Sequence, residues 1–185
     1  MTAFEQTLQE IDQLCRAHGI PYAVIGGIAT NIYGYVRSTV DIDITIMAEI
    51  DQLEHVLAIF ANDYSSVQPD PLAFFRRTFF VPLRHRATQI RVDVTAALSN
   101  IERSMLERSQ RRFFNAVEVS VCTIEDLIIM KLVASRTKDL LDLEELIARH
   151  RANIDLDYLR SSAKEFIYVE RSDISERLEE FLLKS

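Results

Sequence analysis

The sequence predicts an α/β (α+β) fold: a mixed sheet flanked by helices, followed by a helical C-terminal part. Three observations carry this. Two segments, 40–47 and 89–95, alternate apolar and polar residues with the period of a half-buried strand. Short strand-like runs are interleaved with helical periodicity up to about residue 122. Beyond Thr123 only helical periodicity remains. The expected division is an α/β core over 1–122 and a helical subdomain over 123–185, packed closely because a turn and not a linker joins them.

Phe4, Leu8, Ile11, Leu14 and Cys15 recur at helical spacing, and Gly19 with Pro21 two residues on ends that first helix. Residues 22–25 form a short apolar strand that the pair Gly26-Gly27 breaks. A short helix over 28–33 is closed by Gly34. In 40–47, Val40, Ile42, Ile44 and Ile46 share one face and Asp41, Asp43 and Thr45 the other. Leu53, Val56, Leu57 and Phe60 make 50–60 an amphipathic helix. Two prolines and mixed patterning assign 64–78 to a loop with a strand at its start. Strands over 79–83 and 89–95 pair as a hairpin, a helix covers 99–107, and 117–121 is a further strand. Thr123, with Asp126 three residues on, caps the next helix. Helices then cover 124–135, 139–150, 156–166 and 173–184, the last two capped by Asp155 and Ser172.

With 185 residues, 48% of them hydrophobic, and a mean hydropathy of +0.02, the chain can build a real core. No apolar run approaches the ~20 residues of a membrane helix, and the N-terminus lacks a signal-like segment, so a cytoplasmic protein is expected. Cys15 and Cys122 are far apart without ligand-like neighbours, which disfavours a zinc site or disulfide framework. The net charge of −7 argues against a chain that coats nucleic acid. Yet residues 71–115 hold nine arginines against three acids. That basic middle suggests one anion-facing surface.

The chemistry concentrates between Gly26 and Asp43. On a strand, Asp41 and Asp43 point the same way, roughly 6.5–7 Å apart. Two carboxylates projecting together repel unless a cation lies between them. A divalent ion that prefers oxygen ligands, Mg²⁺ or Mn²⁺, resolves the conflict. Asp93, on the polar face of the later strand with Arg91 and Thr95, joins them if the two strands pair. Three acids there can hold metal for in-line phosphoryl transfer, with Asp93 activating a hydroxyl. Gly26 and Gly27 lack Cβ atoms, so a phosphate can approach the backbone. The pair lacks the third glycine of a dinucleotide-binding loop and the Gly-Lys-Ser/Thr of a P-loop. The four histidines, His18, His55, His85 and His150, have no ligand-like spacing and read as surface or capping residues, which weighs against a metal-dependent phosphohydrolase.

This arrangement of glycine turn, short helix, Asp-x-Asp strand and later third acid resembles the nucleotidyltransferase superfamily with the DNA polymerase β-like fold. Arg37-Ser38-Thr39-Val40-Asp41-Ile42-Asp43, preceded by Gly26-Gly27, is similar to the AbiEii-like branch, which includes toxins of type IV toxin–antitoxin systems. The similarity extends through Glu125-Asp126-Leu127-Ile128-Ile129-Met130-Lys131-Leu132 and the stretch from Arg136 through Asp139 and Asp142 to Leu143. Many toxin members of that branch are longer than this chain. The resemblance implies Asp41, Asp43 and Asp93 as catalytic and metal-binding residues. It implies a nucleotide-binding set of Gly26, Gly27, Arg37, Thr39, Lys131 and Asp139, with Asp139 or Asp142 ordering the last helix pair. The implied reaction is Mg²⁺-dependent transfer of a nucleoside monophosphate from an NTP to a hydroxyl of an RNA such as tRNA, a protein or a small molecule such as an aminoglycoside. A cognate antitoxin is an implied partner. The alternative is a nucleotide-binding regulatory module of the same fold that has lost catalysis.

Overall fold

The computed structural model describes residues 1–184. Its elements, in chain order, are α1 (Ala3–Ala17), β1 (Tyr22–Ile25), α2 (Gly26–Ile32), β2 (Asp41–Ile46), a 3₁₀ turn (Ile50–Gln52) leading into α3 (Leu53–Phe60), β3 (Tyr64–Ser66), α4 (Pro71–Thr78), β4 (Phe80–His85), β5 (Arg91–Ala96), α5 (Asn100–Arg108), β6 (Gln110–Phe114), β7 (Val117–Val121), α6 (Ile124–Ala134), α7 (Thr137–His150), α8 (Leu156–Glu165), a 3₁₀ turn (Phe166–Val169) and α9 (Asp173–Lys184). The strands form one seven-stranded mixed sheet in the order β3-β4-β5-β2-β1-β7-β6. This is the nucleotidyltransferase-type α/β arrangement with helices at its C-terminal end.

Two pairings at the centre of the sheet set the positions of the acidic side chains. β1 and β2 are antiparallel, with Ile25 opposite Asp43. β2 and β5 are parallel, with Asp43 opposite Asp93 and Asp41 opposite Arg91. The expected hairpin of β4 and β5 is present as an antiparallel pair. Ile42, Ile44 and Ile46 are fully buried, joining Leu8, Ile11 and Cys15 of α1 in one hydrophobic core that also takes in Leu127, Ile128 and Leu132 of α6. Val40, expected on that face, precedes the strand and is exposed. α6 packs against α2, α7, α8 and α9, so nearly all of its surface is covered and its sequence shows little amphipathic character.

Two elements differ from expectation. The supposed loop over 64–78 does begin with a strand, β3, but contains α4. Pro71 sits at the first helical position, where its missing N–H is no loss, and the Asp70 carboxylate accepts from the Ala73 N–H. β6 has no alternation to announce it. It is an exposed edge strand, and its pairing to β7 supplies its order. The basic middle segment does not make one surface either. β4 and β6 lie towards opposite edges of the sheet, which separates Arg76, Arg77, Arg84 and Arg86 from Arg111 and Arg112. Arg76, Arg91, Arg103, Arg108 and Arg111 each face an acid. His85 is likewise no surface residue: it is 1% exposed, with Nε2 2.6 Å from Glu10 Oε2 and Nδ1 2.8 Å from the Thr88 hydroxyl. It locks the β4–β5 hairpin to α1. Among the described residues no helix is long and apolar enough to cross a membrane.

Candidate active site

Asp41 and Asp43 project from one face of β2, and the parallel register brings Asp93 of β5 alongside. One oxygen from each carboxylate lies within 4.8 Å of the other two. Asp93 is buried and the other two are half-buried. Desolvation, then the charges of Asp41 and Asp93, push the Asp43 carboxyl up to about 6, against the opposing pull of Lys138 and Arg136. Burial also raises Asp93 above its ordinary value, and the Arg91 guanidinium counters it. That guanidinium forms a two-pronged pair with Asp93, Nε to Oδ1 at 2.7 Å and Nη2 to Oδ2 at 2.9 Å. The Thr39 hydroxyl lies 3.1 Å from Asp41 Oδ1 and orients that carboxylate from the preceding loop.

The diglycine turn is shaped by these same side chains. Gly26 has φ +61°, and a Cβ on it would stand 2.1 Å from Asp43 Oδ2. Only glycine combines that backbone with so close a carboxylate. A Cβ on Gly27 would meet the Thr39 hydroxyl at 2.7 Å and Arg37 Nη2 at 3.3 Å. The space that the absent Cβ atoms leave is therefore filled by Asp43, Thr39 and Arg37. α2 begins at Gly26 itself, two residues before its expected start. Asn31 of α2 fastens the loop back, accepting from the Arg37 N–H at 2.9 Å and donating to its carbonyl at 3.1 Å.

Arg37, Lys131 and Asp139 assemble a different structure from the acid cluster. Arg37 Nε lies 3.0 Å from Asp142 Oδ1, and the Lys131 ammonium donates to Oδ2 of the same residue. Lys131 is only 3% exposed and stands 3.8 Å from Asp139. Asp139 is buried and accepts from Arg136 Nε at 2.6 Å and from the Arg136 N–H at 3.2 Å. This network ties the 34–40 loop to α6 and α7 through Asp142, and Asp139 is held by Arg136 at the start of α7. Lys131 is held between the two carboxylates. Three cations join the acids at the site without having been expected as site residues. Arg91 was visible two residues before Asp93 on the same strand face. Arg136 and Lys138 fell within the segment singled out for Asp139, but nothing in the sequence placed their charges near Asp43.

The donor set suits a hard divalent cation: three carboxylates, oxygen only, with one oxygen of each within 4.8 Å of the others. The model of the family described as "Nucleotidyltransferase of unknown function (DUF6036)" matches residues 2–182. The chain belongs to that family. Solved structures similar to this chain include the antibiotic-resistance factor ANT(2'')-Ia, at 12% identity over 94% of this chain and 98% of that one, with a TM-score of 0.63. An antigenic nucleotidyltransferase-like protein from Paracoccidioides brasiliensis is similar at 18% identity over 95% of this chain and 91% of that one, TM-score 0.55. The lincomycin-bound lincosamide antibiotic adenylyltransferase LnuA is similar at 17% identity over 77% of this chain and 95% of that one, TM-score 0.53. At such identities the likeness is one of fold. No curated protein sequence matches the chain.

Proposed function

We propose that this protein is a Mg²⁺-dependent nucleotidyltransferase that moves a nucleoside monophosphate from an NTP to a hydroxyl of a small molecule. The observation that carries the reading is the convergence of Asp41, Asp43 and Asp93 beside the Gly26 bend. Asp41, Asp43 and Asp93 would hold the divalent ion, which when bound neutralises the triphosphate and acidifies the acceptor hydroxyl. Asp93 accepts the hydroxyl proton as the new oxygen–phosphorus bond forms at the α-phosphate and the bond to the β-phosphate oxygen breaks, releasing pyrophosphate. Gly26, Gly27, Arg37 and Thr39 frame the triphosphate side. Lys131, Asp139 and Asp142 keep that frame in place from behind, and Arg136 and Lys138 supply positive charge facing Asp43. In this reading residues 1–122 carry the acids and the helical part closes the site.

Two observations favour a small acceptor over tRNA. The arginines of the middle segment are dispersed and five of the nine face acids, which does not suit a phosphate backbone. ANT(2'')-Ia and LnuA, whose structures align over nearly their whole length, are an antibiotic-resistance factor and an antibiotic adenylyltransferase. The toxin branch and its antitoxin partner rest on the Arg-x-Thr-x-Asp-x-Asp resemblance alone. One observation favours the rival reading of a non-catalytic nucleotide-binding module: Arg91 already neutralises Asp93. Incubation with each NTP, Mg²⁺ and a panel of aminoglycosides, lincosamides, tRNA and protein separates these. Pyrophosphate release that Asp41→Ala and Asp43→Ala both abolish, with the fold intact, supports the enzyme. Turnover surviving either change defeats it, and metal-dependent NTP binding without turnover on any acceptor supports the module.

A further inference from the structure

Among the described residues, Asp93 alone of the three acids has an ion-pair partner at hydrogen-bonding distance, and that partner comes from its own strand. Arg91 and Asp93 lie two residues apart on one face of β5, and the register sets Arg91 directly opposite Asp41. The guanidinium thus stands among the carboxylates proposed to hold the cation. We propose that Arg91 is an exchangeable internal counter-ion of the acid cluster, pairing with Asp93 in the metal-free protein and yielding it when a divalent cation binds. The released fork then binds the nucleotide's phosphates. The proposal rests on the nucleotidyl-transfer reading of the site.

The two halves of the pair differ in what they can tolerate. The Asp93 side chain is 12% exposed and that of Arg91 is 45% exposed. A largely buried carboxylate without a cation is strongly unfavourable, whereas an exposed guanidinium is readily solvated. Asp93 therefore always needs a positive partner, and Arg91 does not always need Asp93. A guanidinium and a divalent ion on one carboxylate repel each other at that range. Binding one weakens the other. Once free, the planar five-donor fork of arginine matches a phosphate group, and its place beside Asp41 keeps it within the site. Arg91 is in this view a positioning residue in the metal-free protein and a phosphate ligand in the loaded one.

The test is Mn²⁺ binding by calorimetry at pH 7.5 without nucleotide, comparing wild type, Arg91→Ala and Arg91→Lys, with melting curves to confirm folding. Arg91→Ala is expected to bind Mn²⁺ about tenfold tighter, equal to about 1.4 kcal/mol. Arg91→Lys keeps the charge but loses the two-pronged geometry, so it should also bind several-fold tighter; a mere long-range charge effect would leave it at the wild-type value. With saturating Mn²⁺, a non-hydrolysable NTP analogue should bind Arg91→Ala about tenfold more weakly. Wild type binding Mn²⁺ as tightly as both variants overturns the exchange and leaves the metal site standing. Unchanged analogue affinity overturns the phosphate role. Mn²⁺ binding by none of the three overturns the metal-site reading and this proposal with it.

Discussion

Replacing Asp43 by asparagine should stabilise the metal-free protein and at the same time remove its response to divalent cations. The carboxyl sits against Gly26 with Asp41 and Asp93 close by, and its pKa rises from the ordinary 3.8 to about 6. That displacement corresponds to about 3 kcal/mol of unfavourable free energy in the folded, ionised state at neutral pH. Asparagine has the same shape and no charge, so it relieves most of this, less what its amide loses in imperfect hydrogen bonding. A net gain of about 2–3 kcal/mol remains, or about 5–10 °C in Tm for a chain of this size. The pH dependence has a definite sign. The folded pKa lies above the unfolded one, so protonation favours folding. The two proteins should be equally stable below about pH 4, diverge between pH 4 and 6, and differ by a constant amount above that. The assay is urea unfolding in EDTA across pH 4–8, repeated with Mg²⁺. Excess cation at about 100 times its Kd should stabilise wild type by about 2.7 kcal/mol and leave Asp43→Asn nearly unmoved. An Asp43→Asn protein less stable than wild type in EDTA at pH 7.5, or one that gains as much from Mg²⁺, would refute the crowded-carboxylate reasoning.

Divalent-cation affinity should fall as pH drops through about 6, because Asp43 must be ionised to ligate and Asp93 is also raised; calorimetry at pH 5 and 7.5 measures it. Gly26→Ala forces a Cβ to 2.1 Å from Asp43 Oδ2 at φ +61°, so it should lose at least about 2 kcal/mol of stability and the Mg²⁺ response. Gly27→Ala meets a threonine hydroxyl that can shift and should lose less; equal losses in chemical denaturation would contradict the close-approach argument. Lys131→Met strips a buried ammonium from Asp142, which then keeps only Arg37, and should destabilise by about 3 kcal/mol. If Lys131 instead touches phosphate directly, nucleotide titration will show weakened binding in a variant of unchanged Tm.

Much of the site was legible in the chain because it depends on local periodicity. A period of two puts Asp41 and Asp43 on one face whatever surrounds them, and a glycine pair after an apolar strand marks a turn that a side chain would block. The elements that went unread, α4 and β6, lack such a local signal. Pro71 can start a helix or break one, depending on the residues after it, and Gln110-Arg111-Arg112-Phe113-Phe114 becomes a strand only because β7 offers its edge. His85 looked like a surface residue because the Glu10 that holds it is 75 positions away.

The sequence by itself determined the two-acid strand face, the diglycine bend and the helical finish, since each arises from residue types within a few positions of one another. Only the tertiary structure decided that β5 lies parallel to β2 with Asp93 level with Asp43, that Arg91 already holds that third acid, and that Lys131 is enclosed by Asp142 and Asp139. These depend on strand register and helix docking. Both are fixed by the burial of Ile42, Ile44 and Ile46 on the opposite face and by the packing of α6, interactions between residues remote along the chain.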